Sequence, residues 1–252
     1  MPRFKVGLQL HPQGTTADAL QIAWQAADEL GADSLWVWDH FFPLYGDPDE
    51  SHFEAWTLLA AMAVTTKRTR FGAMVSSTGY RNPDLVADMS RTIDHLSHGR
   101  FILGIGAGWF ERDYTEYGYD FGTVGSRLDA FGEAVVRIKA RLRVLNPPPV
   151  GPLPLLIGGS GERRTLPLVA EHAQMWNTTA ADPELIRHKN RVLDDLCERI
   201  GRDPAEIERS ALVSEDCDVE ALLAAGITHL VLMAGHPFDL APLQRLLDLA
   251  RS

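Results

Sequence analysis

Asp39 and His40 stand side by side at the end of the apolar run SLWVWDH (34–40). A carboxylate beside an imidazole can hold and move a proton, since the reference pKa of histidine, about 6.5, lies near neutrality. A second group lies in RFILGIGAGWFERDY (100–114), where Gly104, Gly106 and Gly108 alternate before Trp109, Glu111 and Tyr114. Residues i, i+2 and i+4 of a strand share one face. One side of this strand therefore ends in bare backbone, while Ile105, Ala107 and Trp109 occupy the other. Bare backbone lets a flat ligand lie close; equally, it gives room to large side chains from facing strands. A third group is GGSGERR (158–164), which leads into a helix and carries Arg163 and Arg164. Glycines with a serine at a helix N-terminus present N–H groups to an anion. The alternative is a plain turn capped by Ser160. Trp176 and Asn177 end the run QMWNTT (174–179), where an aromatic plane and an amide could flank a ring; core packing alone also accounts for Trp176. In YRNP (80–83), Asn82 and Pro83 read as the start of a helix, and Arg81 as an anion contact or a solvated charge.

These groups need a frame that brings strand ends together. Eight short apolar runs read as buried parallel strands: 4–10, 34–40, 70–76, 101–108, 154–159, 174–179, 209–214 and 228–234. Between and after them lie eight amphipathic helical stretches: 16–32, 53–66, 82–97, 126–142, 163–173, 182–200, 218–226 and 239–251. Strict alternation also suits a doubly wound open sheet. Eight units in 252 residues suit an α/β fold of (β/α)8 TIM-barrel type better, as one domain over 1–252. The long connections, 40–52 and 109–125, follow strands 2 and 4, and barrel sites are built from such loops.

Several chemistries lack their residues. The glycines do not make a dinucleotide fingerprint: G-x-G-x-x-G needs a glycine at Trp109 or at Glu111. No P-loop or G-x-S-x-G elbow occurs, and no Cys/His set has metal spacing. His95 and His98 read as residues of a helix C-terminus, and His229 falls in strand 8. A net charge of −10 argues against nucleic acid as a partner. Cys197 and Cys217 lie far apart, which suits a reducing compartment, and no run reaches the ~20 apolar residues of a membrane helix. The chain reads as cytoplasmic, acting on a small molecule.

WDHFF (38–42), EAWTLLAA (54–61), MVSSTGYRNP (74–83), TIDHLSHGRFILGIGAGWFERDYTEYG (92–118), LLIGGSGERRTLPLVAEHAQMWN (155–177) and RHKNRVLDDLCERIGRDPAEIERS (187–210) together resemble the luciferase-like flavin superfamily. The branch they resemble most is that of deazaflavin (coenzyme F420)-dependent oxidoreductases. The resemblance implies a (β/α)8 barrel that binds F420, or alternatively FMN, at the C-terminal mouth. It implies that Asp39 and His40 sit near the ring and that Ala73 and Met74 fall at a non-prolyl cis peptide supporting it. Gly106, Ala107 and Gly108 match the wall, and Glu111 and Tyr114 the loop beyond. Gly158, Gly159, Ser160 and Gly161 match the phosphate side, where Arg163 adds charge; Trp176 and Asn177 match the next strand end. The implied reaction is hydride transfer between F420 and a small organic substrate, with His40 as proton donor or acceptor and Asp39 and Glu111 beside it. An FMN-dependent monooxygenase and a flavin-binding barrel without turnover are the alternatives, and a homodimer is the family default. Two departures stand out. Trp109 occupies the place where deazaflavin sugar-phosphate dehydrogenases carry a catalytic acid, which argues against that reaction. The stretch 141–154, after helix 4, is short where relatives have an insertion over the mouth; this implies an open site or a lid from a dimer partner.

Overall fold

The computed structural model describes residues 2–180 and 182–252. Its strands are β1 (Lys5–Leu10), β2 (Ser34–Val37), β3 (Arg70–Ala73), β4 (Ser76–Ser77), β5 (Phe101–Gly106), β6 (Leu155–Gly158), β7 (Met175–Thr178), β8 (Glu208–Val213) and β9 (His229–Ala234). All pair in parallel, in the order β3-β2-β1-β9-β8-β7-β6-β5-β4, and a β3–β5 pairing closes the barrel. β3 and β4 are halves of one stave, both paired with β5. The expected (β/α)8 barrel is therefore present, its third strand broken inside 70–76. The break holds a cis peptide between Met74 and Val75, which leaves Ala73 just outside it.

The helices are α1 (Ala17–Leu30), α2 (Ala55–Thr65), α3 (Pro83–Leu96), α4 (Glu111–Tyr117), α5 (Val124–Leu142), α6 (Thr165–His172), α7 (Pro183–Arg199), α8 (Val219–Ala224) and α9 (Ala241–Arg251). Eight of them match the sequence periodicity. The ninth, α4, lies in the connection 109–125 that reads as loop. Local chemistry sets the ends. Asn82 accepts from the Asp84 amide ahead of Pro83, and Gly31 closes α1 at φ 86°, a left-handed turn suited to glycine.

Strand alternation divides the apolar side chains into two layers. Phe101, Leu103 and Ile105 of β5 face the helices in the large outer core, with Phe131, Val135 and Ile138 of α5. Ile102 faces the lumen with Trp36, Leu156, Met175, Val231 and Met74, which plug its middle. Burial of such side chains stabilises by roughly 1.5–3 kcal/mol each. Gly104 and Gly106 share the face of Ile102, so the bare side of β5 does point into the lumen. A Cβ on Gly104 would strike the Ala73 carbonyl, so this glycine serves the approach of β3.

The short connection 141–154 lies at the opposite end of the barrel from the mouth. The Val150 and Gly151 amides donate to Asp94 Oδ2 at 2.7 and 2.9 Å, near the C-terminus of α3. Arg91 and His95 bond the carbonyls of Pro147 and Pro148. A helix-to-strand connection runs to the N-terminal ends of the strands, so its length does not open the mouth. That expectation is corrected.

Candidate active site

Above the lumen plug lies a cavity of about 590 Å³ at the C-terminal ends of the strands. One wall is largely backbone: Gly106 at the end of β5 with Ala107 and Gly108 after it, and Gly158 at the end of β6 with Gly159 after it. A Cβ on Gly106 would come within 2.7 Å of Val75 Cγ2, and one on Gly158 within 2.9 Å of Val75 Cγ1. The side chain of Val75, just after the break in the third stave, therefore sits in the space the two glycines leave. Both readings of the glycines hold in part: Val75 fills the base of the wall, and the space above it is open. Met74 and Asn177 line the same cavity. Asn177 Nδ2 donates to Ser210 Oγ at 3.1 Å, which fixes its amide in the lumen.

Asp39 and His40 both reach the mouth, two and three residues beyond the end of β2 at Val37. Their roles separate. The two Asp39 oxygens accept from Arg81 Nη1 at 2.5 Å and Nη2 at 3.1 Å. Burial raises the Asp39 carboxyl and Arg81 opposes it. Burial would lower the Arg81 guanidinium, but Asp39 and Glu54 outweigh it and hold it raised. Asp39 is thus held by a bidentate pair, and Arg81 is neither a solvated charge nor an open anion contact.

His40 is held differently. Its Nδ1 lies 2.6 Å from Asp113 Oδ2, and the Asp113 carboxylate is fully buried. Tyr80 donates to the same oxygen at 2.6 Å, and the Phe41 amide to Oδ1 at 2.9 Å. Burial alone would raise the Asp113 carboxyl; the bonds from His40, Tyr80 and Phe41 outweigh it and hold it below the usual carboxylate range. Burial first, then Asp113, pushes the Tyr80 phenol upward, so it stays a donor. With Nδ1 anchored on an anion, Nε2 is the ring nitrogen left for the cavity; it bonds no other described residue. Edges and faces of Trp109 and Phe110 pack on the imidazole at 5.6 Å each.

Seven expected site residues do not line the cavity: Ala73, Glu111, Tyr114, Ser160, Gly161, Arg163 and Trp176. Glu111 is exposed at the first position of α4, and helical spacing turns Asp113 and Tyr114 inward instead. Asp113 is the buried acid that sequence reasoning missed, and α4 read as a helix would have marked it. Tyr114 is buried behind the strand ends, 2.8 Å from Ser77 Oγ, beside an adjoining groove of about 430 Å³. Trp176 is fully buried in the outer core, and its Nε1 donates to the Gly159 carbonyl at 2.8 Å. It steadies the glycine loop from behind and does not reach the cavity. Arg163 is exposed in a shallow groove between α5 and α6, with Asp129 and Glu171. Its neighbour Arg164 pairs with Asp129. Neither arginine lines the mouth, because the turn 162–164 carries both outward. Ser160 Oγ and Thr178 Oγ1 are 3.1 Å apart, and Gly161 receives the first amides of α6. Ala73 faces the outer core.

Trp38, Leu44, Tyr45, Leu212 and Met233 complete an apolar rim. Trp38 Nε1 donates to His52 Nε2 at 3.0 Å. Burial lowers His52 to about 4, so it stays a neutral acceptor. Gln13 ties the rim down by bonding the Leu44 amide and the Tyr45 carbonyl at 2.7 Å each. Among the described residues, no group of three or more His, Cys, Asp and Glu side chains is placed to hold a metal ion, and no helix is long and apolar enough to cross a membrane.

Comparison with known proteins follows the same lines. An uncharacterized protein of Mycobacterium tuberculosis is 28% identical over 181 residues, and the alignment covers 64% of this chain and 64% of that protein's length. An F420-dependent secondary alcohol dehydrogenase, solved with an F420-acetone adduct, superposes with a TM-score of 0.89 at 18% identity, covering 99% of this chain and 100% of the other. The FMN-bound oxygenating constituent of 3,6-diketocamphane monooxygenase from Pseudomonas putida gives 0.76 at 16% identity, covering 99% and 97%. The model of the luciferase-like monooxygenase family matches residues 3–215, so this chain belongs to that family.

Proposed function

We propose that the chain moves a hydride between a deazaflavin of the F420 type and a small organic substrate. The observation that carries this reading is His40. Its Nδ1 is fixed by a buried carboxylate, and its Nε2 is left for a cavity that has a backbone wall. The whole-length likeness to an F420-dependent dehydrogenase supports the choice of cofactor.

The residues present suit a planar ring. Gly106, Ala107, Gly158 and Gly159 offer backbone to its face, and Val75 offers a seat below. A side chain on either glycine 106 or 158 would collide with that seat. Among the described residues, no lysine or arginine lines the cavity itself. Arg127, in the adjoining groove that shares Ala107, supplies a cation for an anionic tail. When bound, the deazaflavin supplies the hydride chemistry. The protein's part is orientation and proton handling. Asp113 and Tyr80 hold the imidazole, and His40 Nε2 gives a proton to, or takes one from, a substrate oxygen. Trp38, Tyr45 and Trp109 screen that oxygen from water.

A titration with F420 and FMN side by side tests the cofactor. Selective retention of F420, followed by its reduction or oxidation with a substrate, is expected. Selective retention of FMN would move the reading to a monooxygenase fed by a separate reductase. Binding of F420 with no redox change toward any donor or acceptor would leave a passive carrier.

A further inference from the structure

The layer of side chains directly above the lumen plug bears on which form of the cofactor the site takes up, given the redox reading above. Met175 and Val231 belong to the plug. Two residues further along the same strands, Asn177 and Met233 line the cavity, and Gln9 is paired in register with Met233. Gln9 and Asn177 are 2% and 3% exposed, and the side chains around them, Met74, Val75, Leu212 and Met233, are apolar. Both amides are fixed by what they bond. Gln9 Nε2 donates to the Met74 carbonyl at 3.1 Å, and a carbonyl can only accept. Asn177 Nδ2 lies 3.1 Å from Ser210 Oγ, whose own proton goes to the Trp176 carbonyl at 2.9 Å, so the hydroxyl must accept from Asn177. Turning either amide round would set two oxygens against each other. Each therefore leaves its oxygen for the cavity, and neither Gln9 Oε1 nor Asn177 Oδ1 bonds a described residue. A buried acceptor without a donor is unfavourable, so this base suits a ligand edge that carries N–H groups.

We infer that Gln9 and Asn177 receive the pyrimidine edge of the ring and favour its reduced form over its oxidised one. The pyrimidine edge of an oxidised deazaflavin or flavin carries a hydrogen on N3 alone, and N1 is a bare lone pair. Reduction puts a hydrogen on N1 as well. Two acceptors then meet two donors, whereas with the oxidised ring one acceptor faces a lone pair. A site shifts an equilibrium only by its difference in affinity for the two forms, and hydrogen bonds to ring nitrogens supply that difference here. In the reducing direction the reduced ring is the form captured, and the oxidised ring is the form released.

Binding of oxidised and of reduced F420 to the cofactor-free protein, without oxygen or substrate, tests this, with calorimetry giving both dissociation constants. The reduced form is expected to bind about tenfold more tightly or better, which places the midpoint potential of the bound ring about 30 mV or more above that of the free one. Gln9→Met and Asn177→Leu each remove one acceptor at similar volume. Each is expected to cut the ratio of the two constants at least about threefold by weakening the reduced form. The ratio is internal to each preparation, so partial unfolding of a variant does not mimic the effect. Equal affinities in the unaltered protein, or tighter binding of the oxidised form, would overturn the selection and leave the redox reading standing. A ratio unchanged in both variants would overturn the role of the two amides. Binding of neither form would sink the F420 reading itself.

Discussion

The barrel holds a histidine–carboxylate pair at each end, and the two behave oppositely. At the mouth, His40 Nδ1 meets Asp113 at 2.6 Å, and the other nitrogen bonds no described residue. At the floor, His229 Nδ1 meets Glu208 at the same 2.6 Å, but Nε2 is taken by Ser34 Oγ at 2.8 Å. Trp36 Nε1 bonds that hydroxyl at 2.6 Å, and Lys5 bonds the far oxygen of Glu208 at 2.6 Å. His229 is 1% exposed. Every polar atom of the floor pair has a partner, which makes it a rivet between β1, β2, β8 and β9. The distance within a dyad therefore does not mark a reactive site. An open nitrogen beside an empty volume does.

Four experiments would break or sharpen the contrast. The largest effect is expected from His40→Gln, which should lower kcat/KM by about 10²- to 10⁴-fold with little change in the denaturation midpoint. His229→Gln should do the reverse, costing roughly 1–3 kcal/mol in a urea titration while turnover per folded molecule stays near normal. Similar activity losses in both would erase the distinction. Next, Asp113→Asn should cost about a hundredfold in kcat with KM little changed, because the amide no longer anchors the Nδ1–H tautomer. A loss seen only in KM would mean that Asp113 serves binding. A smaller loss is expected from Gly106→Val, whose Cβ would fall 2.7 Å from Val75. Cofactor affinity should weaken at least about tenfold and return in part when Val75→Ala is added. No rescue would place the effect elsewhere on the wall.

The smallest effect is in acid. Burial would raise Glu208, but His229 and Lys5 hold it down, from 4.5 to about 2. A depressed carboxylate contributes stability that is whole above its unfolded pKa and is lost as pH falls through the folded one. The floor should therefore weaken from pH 4.5 down toward about 2, and Glu208→Gln should flatten that part of a stability profile. Asp113 is also depressed, with the same sign. A profile unchanged in Glu208→Gln would remove the floor pair from the acid response.

Much of this was legible beforehand because burial imposes period. Eight apolar runs alternating with eight helices suit a closed barrel better than an open sheet, and the face shared by Ile102, Gly104 and Gly106 follows from a repeat of two. The same repeat argues against placing Trp176 and Asn177 in one cavity, since neighbours in a strand face opposite sides; Asn177 turned in and Trp176 out. Asp113 was hidden because α4 has only seven residues, too few for periodicity to announce it. Arg163 and Arg164 were misplaced because a turn's direction depends on tertiary packing. The floor position of 141–154 was legible in principle, since connections that enter a strand run to the end away from the mouth.

Val75 has one more implication. Its two methyl groups occupy the hollow left by a glycine on each of two staves, so the height of the platform under a bound ring is decided by one residue that belongs to neither. Trimming it would deepen the platform and lengthening it would raise the platform, with every barrel strand left as it is. The depth of this cavity can be tuned without redesigning the walls.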